Sequence, residues 1–500
     1  MPLTRDTSES PVPGLTSPVP GLTCPVTGAQ LPPDSPLAAA FGAESTAAAP
    51  ITGQGSPTTA DSAAEARGDV VSTEDQDPAK RNGLGTEAND DPQTMPGDLA
   101  VFYDPLSFSA YENPYELYKV LREKAPVYFN ERRNLWVVSR YEDVREILKN
   151  HQQFSSALGN DMDGTHDSYG AGNIVASDQP EHTSLRTAVR RVFAAREILE
   201  KEDGLRAFAR ELLGRLHDSG GGDFAEDVAL PLAIAGAIML VGLPKGDGPW
   251  IHDHLLQSME RVVGQYGIPE AAAASNIEAE EHIARWMEER YERFRSGEED
   301  ANSSEAIAQI YQAVGKGKVE SQYQAGLAHL IESAAVDAPS ALVTNIITHL
   351  DKFPAFHSYL ASNPDRITDF LEELLRYDAP AQNLCRQTTE EVSVANVTIP
   401  KDSRVMVLLA SANRDESVFA HADFFDIDRE ITPKNKIMTF GEGIHACMGS
   451  PLARLVGRIL LEELVQGPAI RVVGVPERWA KQMVRGFSKL PVKVIAVDQP

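Results

Sequence analysis

Residues 439–455 read TFGEGIHACMGSPLARL and set Cys447 inside a run of glycines, directly before an apolar helical pattern. A buried structural cysteine needs no glycines around it. Gly441, Gly443 and Gly449 allow backbone to approach a flat ligand closely, because no Cβ intervenes. Amide N–H groups at a helix start favour thiolate, the form that binds metal, so the loop predicts a thiol of lowered pKa. Without a CxxC partner, one thiolate does not close a tetrahedral zinc site. It can be the single axial protein ligand of a haem iron.

The segments that must position this loop are mostly helical. Asn113 followed by Pro114 predicts a helix start, and PVYFNERRNLWVVSR reads as a hairpin turning at residues 130–134. Long helical patterns follow in PEHTSLRTAVRRVFAAREILEK, DFAEDVALPLAIAGAIMLVGLP, NIEAEEHIARWMEERYERFRSG, SQYQAGLAHLIESAAVDAPSALVTNIITHLDKF and DRITDFLEELLRYDA. Short strand signals sit apart, in VSVANVTIPKDSRVMVLLASANRD and KLPVKVIAV. The expected architecture is mainly α with small β-sheets, in one large domain over 98–500.

Residues 1–97 differ in kind. They hold one aromatic residue, Phe41, and 13 acids against 4 bases, a net −9. Such a segment buries too little apolar surface to offset its ordering entropy, so a disordered Pro/Gly/Ala-rich acidic tail is expected. Its seven-residue repeat, PVPGLTS PVPGLTC PVTGAQL, suits extended polyproline-like chain. The whole chain carries −27, which argues against nucleic acid or an anionic membrane as partner. Three cysteines, Cys24, Cys385 and Cys447, make no disulfide framework. No stretch reads as a membrane span or signal peptide, and a cytoplasmic location is expected.

The sequence FGEGIHACMG resembles the haem-binding loop of the cytochrome P450 family, Phe-Gly-x-Gly-x-His-x-Cys-x-Gly, at Phe440, Gly441, Gly443, His445, Cys447 and Gly449. Upstream, EELLR supplies Glu373 and Arg376, which in that family form a buried ion network with an arginine preceding the Cys loop, here Arg429. The resemblance spans about 98–500, is of the bacterial, ferredoxin-dependent type, and implies a single haem domain. It implies haem b with Cys447 as axial thiolate and metal ligand, and propionates held by His182, Arg186, Arg386 and His445. Cys385 reads as a core thiol.

Against the family pattern Ala-Gly-x-Asp/Glu-Thr-Thr, the long helix reads Ala334, Ala335, Val336, Asp337, Ala338, Pro339. The acid is kept and the hydroxyl is replaced by Ala338. Pro339 has no N–H, so the carbonyl of Ala335 loses its partner and a kink is expected. Water near Asp337 and that carbonyl would take the hydroxyl's place in proton delivery.

The resemblance implies monooxygenation, by hydroxylation or O-dealkylation, with NAD(P)H, ferredoxin reductase and ferredoxin as electron source. Arg190, Arg191, Arg196, Lys434 and Lys436 form a candidate docking face for an acidic ferredoxin. The missing hydroxyl makes a peroxide-driven peroxygenase the alternative; a haem sensor without turnover fits Asp337 and the pocket less well. Pocket segments by analogy, including 381–384 and 484–487, are small or apolar with Gln382 and Asn383 as hydrogen bonders. They suggest a neutral, mostly apolar small molecule and offer no obvious basic clamp.

Overall fold

A computed structural model describes residues 101–162, 171–258 and 269–495, with the side chains of 255–258 excluded. The expected tail over 1–97, its repeat and Cys24 lie outside the described residues.

Strand β1 (Val127–Asn130) and strand β2 (Leu135–Val138) form the hairpin expected from the sequence. Asn130 accepts the Arg133 N–H through its side chain, and Asn134 adopts the left-handed conformation at φ 47°. Strands β3 (Phe154–Ser155), β4 (Leu384–Thr388) and β5 (Arg404–Val407) extend this into a five-stranded sheet of order β1-β2-β5-β4-β3. Only β2 and β5 run parallel. The sheet therefore binds the first part of the described chain to the segment carrying Arg386.

Helices make the rest of the frame: α1 (Glu181–Val189), α2 (Leu230–Val241), α3 (Glu270–Ser296), α4 (Gln324–Lys352), α5 (Ile367–Tyr377) and α6 (Ser450–Leu464). α4 is central and packs on α2, α3 and α6. Enclosure on so many sides explains why it is apolar nearly all round. It is also the one element, among the described residues, long and apolar enough to cross a membrane by length and composition, taken from Ser321 to Lys352. The sequence reading had found no such stretch; 78% of the apolar window is buried inside the protein.

Two other expectations change. Asn113 ends the preceding helix, Phe108–Glu112, and the next helix runs Tyr115–Lys124 with Pro114 as its cap. The pattern over 181–199 is broken into α1, a 3₁₀ turn (Arg190–Phe193) and a helix over Ala195–Leu199, because Ala194 is extended at ψ 138°. α4 runs unbroken through Pro339, which removes one ladder bond without ending the helix.

Near the C-terminus, β6 (Glu477–Arg478) pairs antiparallel with β7 (Phe487–Lys489). The chain between them folds back on the segment after α5. Gln382 donates its N–H to the Met483 carbonyl at 2.8 Å, and Arg485 donates its N–H to that of Pro380 at 2.8 Å.

Candidate active site

The Cys loop is shaped by backbone contacts. Gly443 sits at φ +79°, and a Cβ there would lie 2.3 Å from the carbonyl oxygen of Leu148. Only glycine lets the loop press on the helix over Tyr141–Lys149. Gly441, at φ +62°, donates its N–H to Met438 at 2.8 Å, and Cys447 donates its own to Phe440 at 2.8 Å. The Phe440 ring lies under the Arg454 guanidinium at 4.5 Å. Gly449 caps α6, and a Cβ on it would stand 3.8 Å from the Cys447 sulfur.

Protein surrounds Cys447, yet its side chain is solvent-accessible, the combination of a thiol facing an internal opening. Burial pushes the thiol pKa up, opposed by the N–H groups of Gly449 and Ser450 and by Arg186 and Arg454. The sequence argument expected a lowered value. The helix-start amides do act in that direction, but loss of water outweighs them.

Beside the thiol lies a cluster of basic groups. Arg186 donates to the Ala446 carbonyl at 2.7 Å, and Arg386 to that of Cys385 at 2.8 Å. The rings of His182 and His445 lie 4.2 Å apart. Both nitrogens of His182, Nε2 of His445 and Nδ1 of His151 are buried without hydrogen-bond partners. Neither arginine forms an ion pair with a carboxylate among the described residues. Burial, then Arg386 and His182, hold His445 down at about 2; burial, then Arg186, lowers His182. Burial brings Arg386 down to about 10. Asp178, an acid that opposes the shifts of His182 and Arg386, is engaged by Ser155 Oγ at 2.5 Å and the Ser156 N–H at 2.9 Å. A cleft of about 360 Å³ runs here, lined by His182, Arg186, Gly443 and Ile444. Unpartnered N–H donors and two arginines without counter-ions suit a dianion. The two carboxylates of haem b beside a thiolate ligand fit these residues.

Arg376, with no exposed side-chain surface, binds Glu373 through Nε at 2.8 Å and Nη2 at 2.7 Å. It also donates to the carbonyls of Asn413, Ala422 and Phe424. Arg429 reaches Glu373 at 3.2 Å. Cys385 is buried in the sheet.

At the centre of α4, Ala335 is buried, while Ala334 is exposed and Ala338 half-buried, one turn apart on one face. Ser340 turns its hydroxyl back to the Asp337 carbonyl at 3.0 Å. Asp337 is itself paired: Lys481 Nζ meets Oδ1 at 2.5 Å, with side chains 8% and 4% exposed, while Oδ2 has no partner. Sequence reasoning missed Lys481, which lies 144 residues away. The available signal was RWAKQMVR, three cations in eight residues. Contrary to the expected lack of a basic clamp, Arg478, Lys481 and Arg485 line one cleft together. In the candidate docking face, Arg191 pairs with Glu197 and exposed Arg196 with Glu200, both at 3.2 Å.

Residues 367–472 match the family model for cytochrome P450. Cytochrome P450 123 of Mycobacterium tuberculosis is 31% identical over 407 residues, covering 80% of this chain and 98% of that protein. Erythromycin C-12 hydroxylase of Saccharopolyspora erythraea is 30% identical over 376 residues, covering 74% and 92%. The crystal structure of CYP109E1 from Bacillus megaterium with testosterone superposes with a TM-score of 0.69 at 26% identity, covering 78% of this chain and 99% of that one. Sequence, fold and likeness thus agree that the chain belongs to the cytochrome P450 family and is a haem-thiolate monooxygenase of that family.

Proposed function

We propose that Cys447 is the axial thiolate of a haem b, that His182, Arg186, Arg386 and His445 hold its propionates, and that the enzyme oxygenates a small, mostly apolar organic molecule by hydroxylation or O-dealkylation. The observation that carries this reading is the Cys447 thiol at an internal opening beside basic groups that have no counter-ion. The group would supply a thiolate-ligated iron whose electron donation favours O–O cleavage. The chain's own residues do the rest. Gly449 and Ser450 stabilise the thiolate through their N–H groups. Ala334 and Ala338 keep one wall of the opening small and apolar. Asp337 offers Oδ2 for proton delivery beside Ala338, with water in place of a hydroxyl. Electrons come from a ferredoxin and its NAD(P)H-dependent reductase, docking where Arg190, Arg191, Arg196, Lys434 and Lys436 stand. The location is cytoplasmic, as suits relatives of this type.

A peroxide-driven route is the second reading, favoured by Ala338 and by the Lys481 bond that occupies one oxygen of Asp337. The carbon-monoxide difference spectrum of wild type and Cys447→Ser tests the ligand: the long-wavelength thiolate band should vanish in the variant, and its retention would refute the assignment. Turnover of a substrate panel with reductase, ferredoxin and NADH, against turnover with hydrogen peroxide, decides the driving route.

A further inference from the structure

The cleft between the β6–β7 connection, residues 382–383 and the segment around residues 103–118 is lined by Arg478, Lys481 and Arg485, with no carboxylate in its wall. Two of the three are engaged. Lys481 holds Asp337, and Arg485 holds Asp378 at 3.2 Å together with the carbonyls of Tyr111 and Glu112. Arg478 is not: its Nη1 is buried with no partner, and its guanidinium rests on the Phe487 ring at 4.2 Å. Burial and Arg485 lower its pKa to about 10, the mark of a cation short of compensation. Next to it, the Trp479 indole Nε1 is likewise buried without a partner. Gln382 and Asn383 complete the polar wall. The two acids that act on Arg478 do not fill its place: Asp378 also accepts from Tyr115 at 2.8 Å, and Glu112 is exposed.

Buried donors are nearly always satisfied, so two unpartnered ones on one wall point to an occupant. We infer that Arg478 and Trp479 form a carboxylate-binding subsite, and that the enzyme's substrates are apolar molecules bearing a carboxylate. A carboxylate can accept from N–H donors, and a charged donor strengthens the bond. Lys481 joins the subsite to the oxidising centre, because it lines this cleft and contacts Asp337 on α4. The substrate then lies with its acid at the β6–β7 connection and its apolar body toward Ala334 and Ala338. This inference rests on the monooxygenase reading and narrows its substrate class.

The test is calorimetric titration of the full-chain holoenzyme with two matched pairs, dodecanoate against dodecan-1-ol and 4-phenylbutanoate against 4-phenylbutan-1-ol. At least one acid should bind tenfold or more tighter than its alcohol. Arg478→Met should abolish that preference while leaving alcohol binding and haem content unchanged. Trp479→Phe removes only the indole N–H and should weaken the acid several-fold; it decides the matter if the arginine variant fails to fold. Acids that bind no better than alcohols in both pairs, or a preference that survives in the folded variant, overturn the subsite. The carbon-monoxide band is scored separately, so its absence would refute the haem-thiolate assignment without touching the calorimetric result.

Discussion

Replacing Lys481 by Met exposes how much the pair with Asp337 contributes. The two groups meet at 2.5 Å with almost no exposed surface. Two unit charges at 4 Å attract by about 4 kcal/mol in an effective dielectric of about 20, and this pair is closer. Desolvation of both ions offsets much of that gain, but removing one partner strands the other, at a cost of about 3–5 kcal/mol. Lys481→Met also gives up the contact of Nζ with the Trp479 ring at 4.2 Å, worth about 0.5–2 kcal/mol. Asp337→Asn keeps that contact, so it should cost slightly less than the lysine variant. In the double variant neither charge is stranded, and the two losses should fall short of additivity by roughly 2–3 kcal/mol. The assay is urea unfolding of the holoenzyme followed by tryptophan fluorescence and by haem absorbance, whose coincidence licenses a two-state treatment. Single variants that each cost under about 1 kcal/mol and add within about 0.5 kcal/mol would refute the reasoning. The double variant has a further use. It restores stability without restoring the acid, so a fall in NADH-driven but not peroxide-driven turnover would isolate proton delivery from folding.

Acid should weaken the fold through His349. Burial among Tyr377 and Phe425 lowers its pKa to about 4 from 6.5. The unfolded chain therefore takes up the proton first: His349 contributes fully above about pH 6.5, and the contribution is lost as pH falls to about 4. That is about 3 kcal/mol, and His349→Gln should flatten the stability profile in this window. Ala338→Thr should raise product formed per NADH if its hydroxyl reaches the reacting space; an unchanged ratio would show that Ala338 faces elsewhere. Deleting residues 1–97 should leave haem content and thermal midpoint nearly unchanged, and a large haem loss would show that the segment packs on the domain.

What could be read beforehand was what sits close along the chain. The glycines around Cys447 and the i, i+3 spacing of Glu373 and Arg376 are local patterns, and the structure places Arg429 beside them at 3.2 Å. Lys481 was invisible for the opposite reason. A lysine in a polar loop ordinarily stays in water. Here the loop is folded inward by the hydrogen bonds of Gln382 and Arg485 to its neighbours, and only tertiary structure brings it to Asp337. The raised pKa of Cys447 escaped notice similarly, since burial is not a property of the loop's own residues. The apolar stretch of α4 shows the same limit: composition gives hydrophobicity, and its neighbours decide what covers it.

The contact of Gly443 with the Leu148 carbonyl bears on how this protein tolerates sequence drift. Any residue at position 148 presents the same carbonyl oxygen, so that position can change its side chain without moving the loop through this contact. Position 443 has no such latitude, because even a methyl group would collide. At this contact the thiol's loop is indifferent to the side chain at 148 while hanging on the absence of one carbon atom at 443; Arg145 is the helix position that does act through its side chain, donating to Glu442 at 2.9 Å. Libraries can vary the exposed positions Glu142, Glu146 and Lys149, whereas Gly443 must be held fixed.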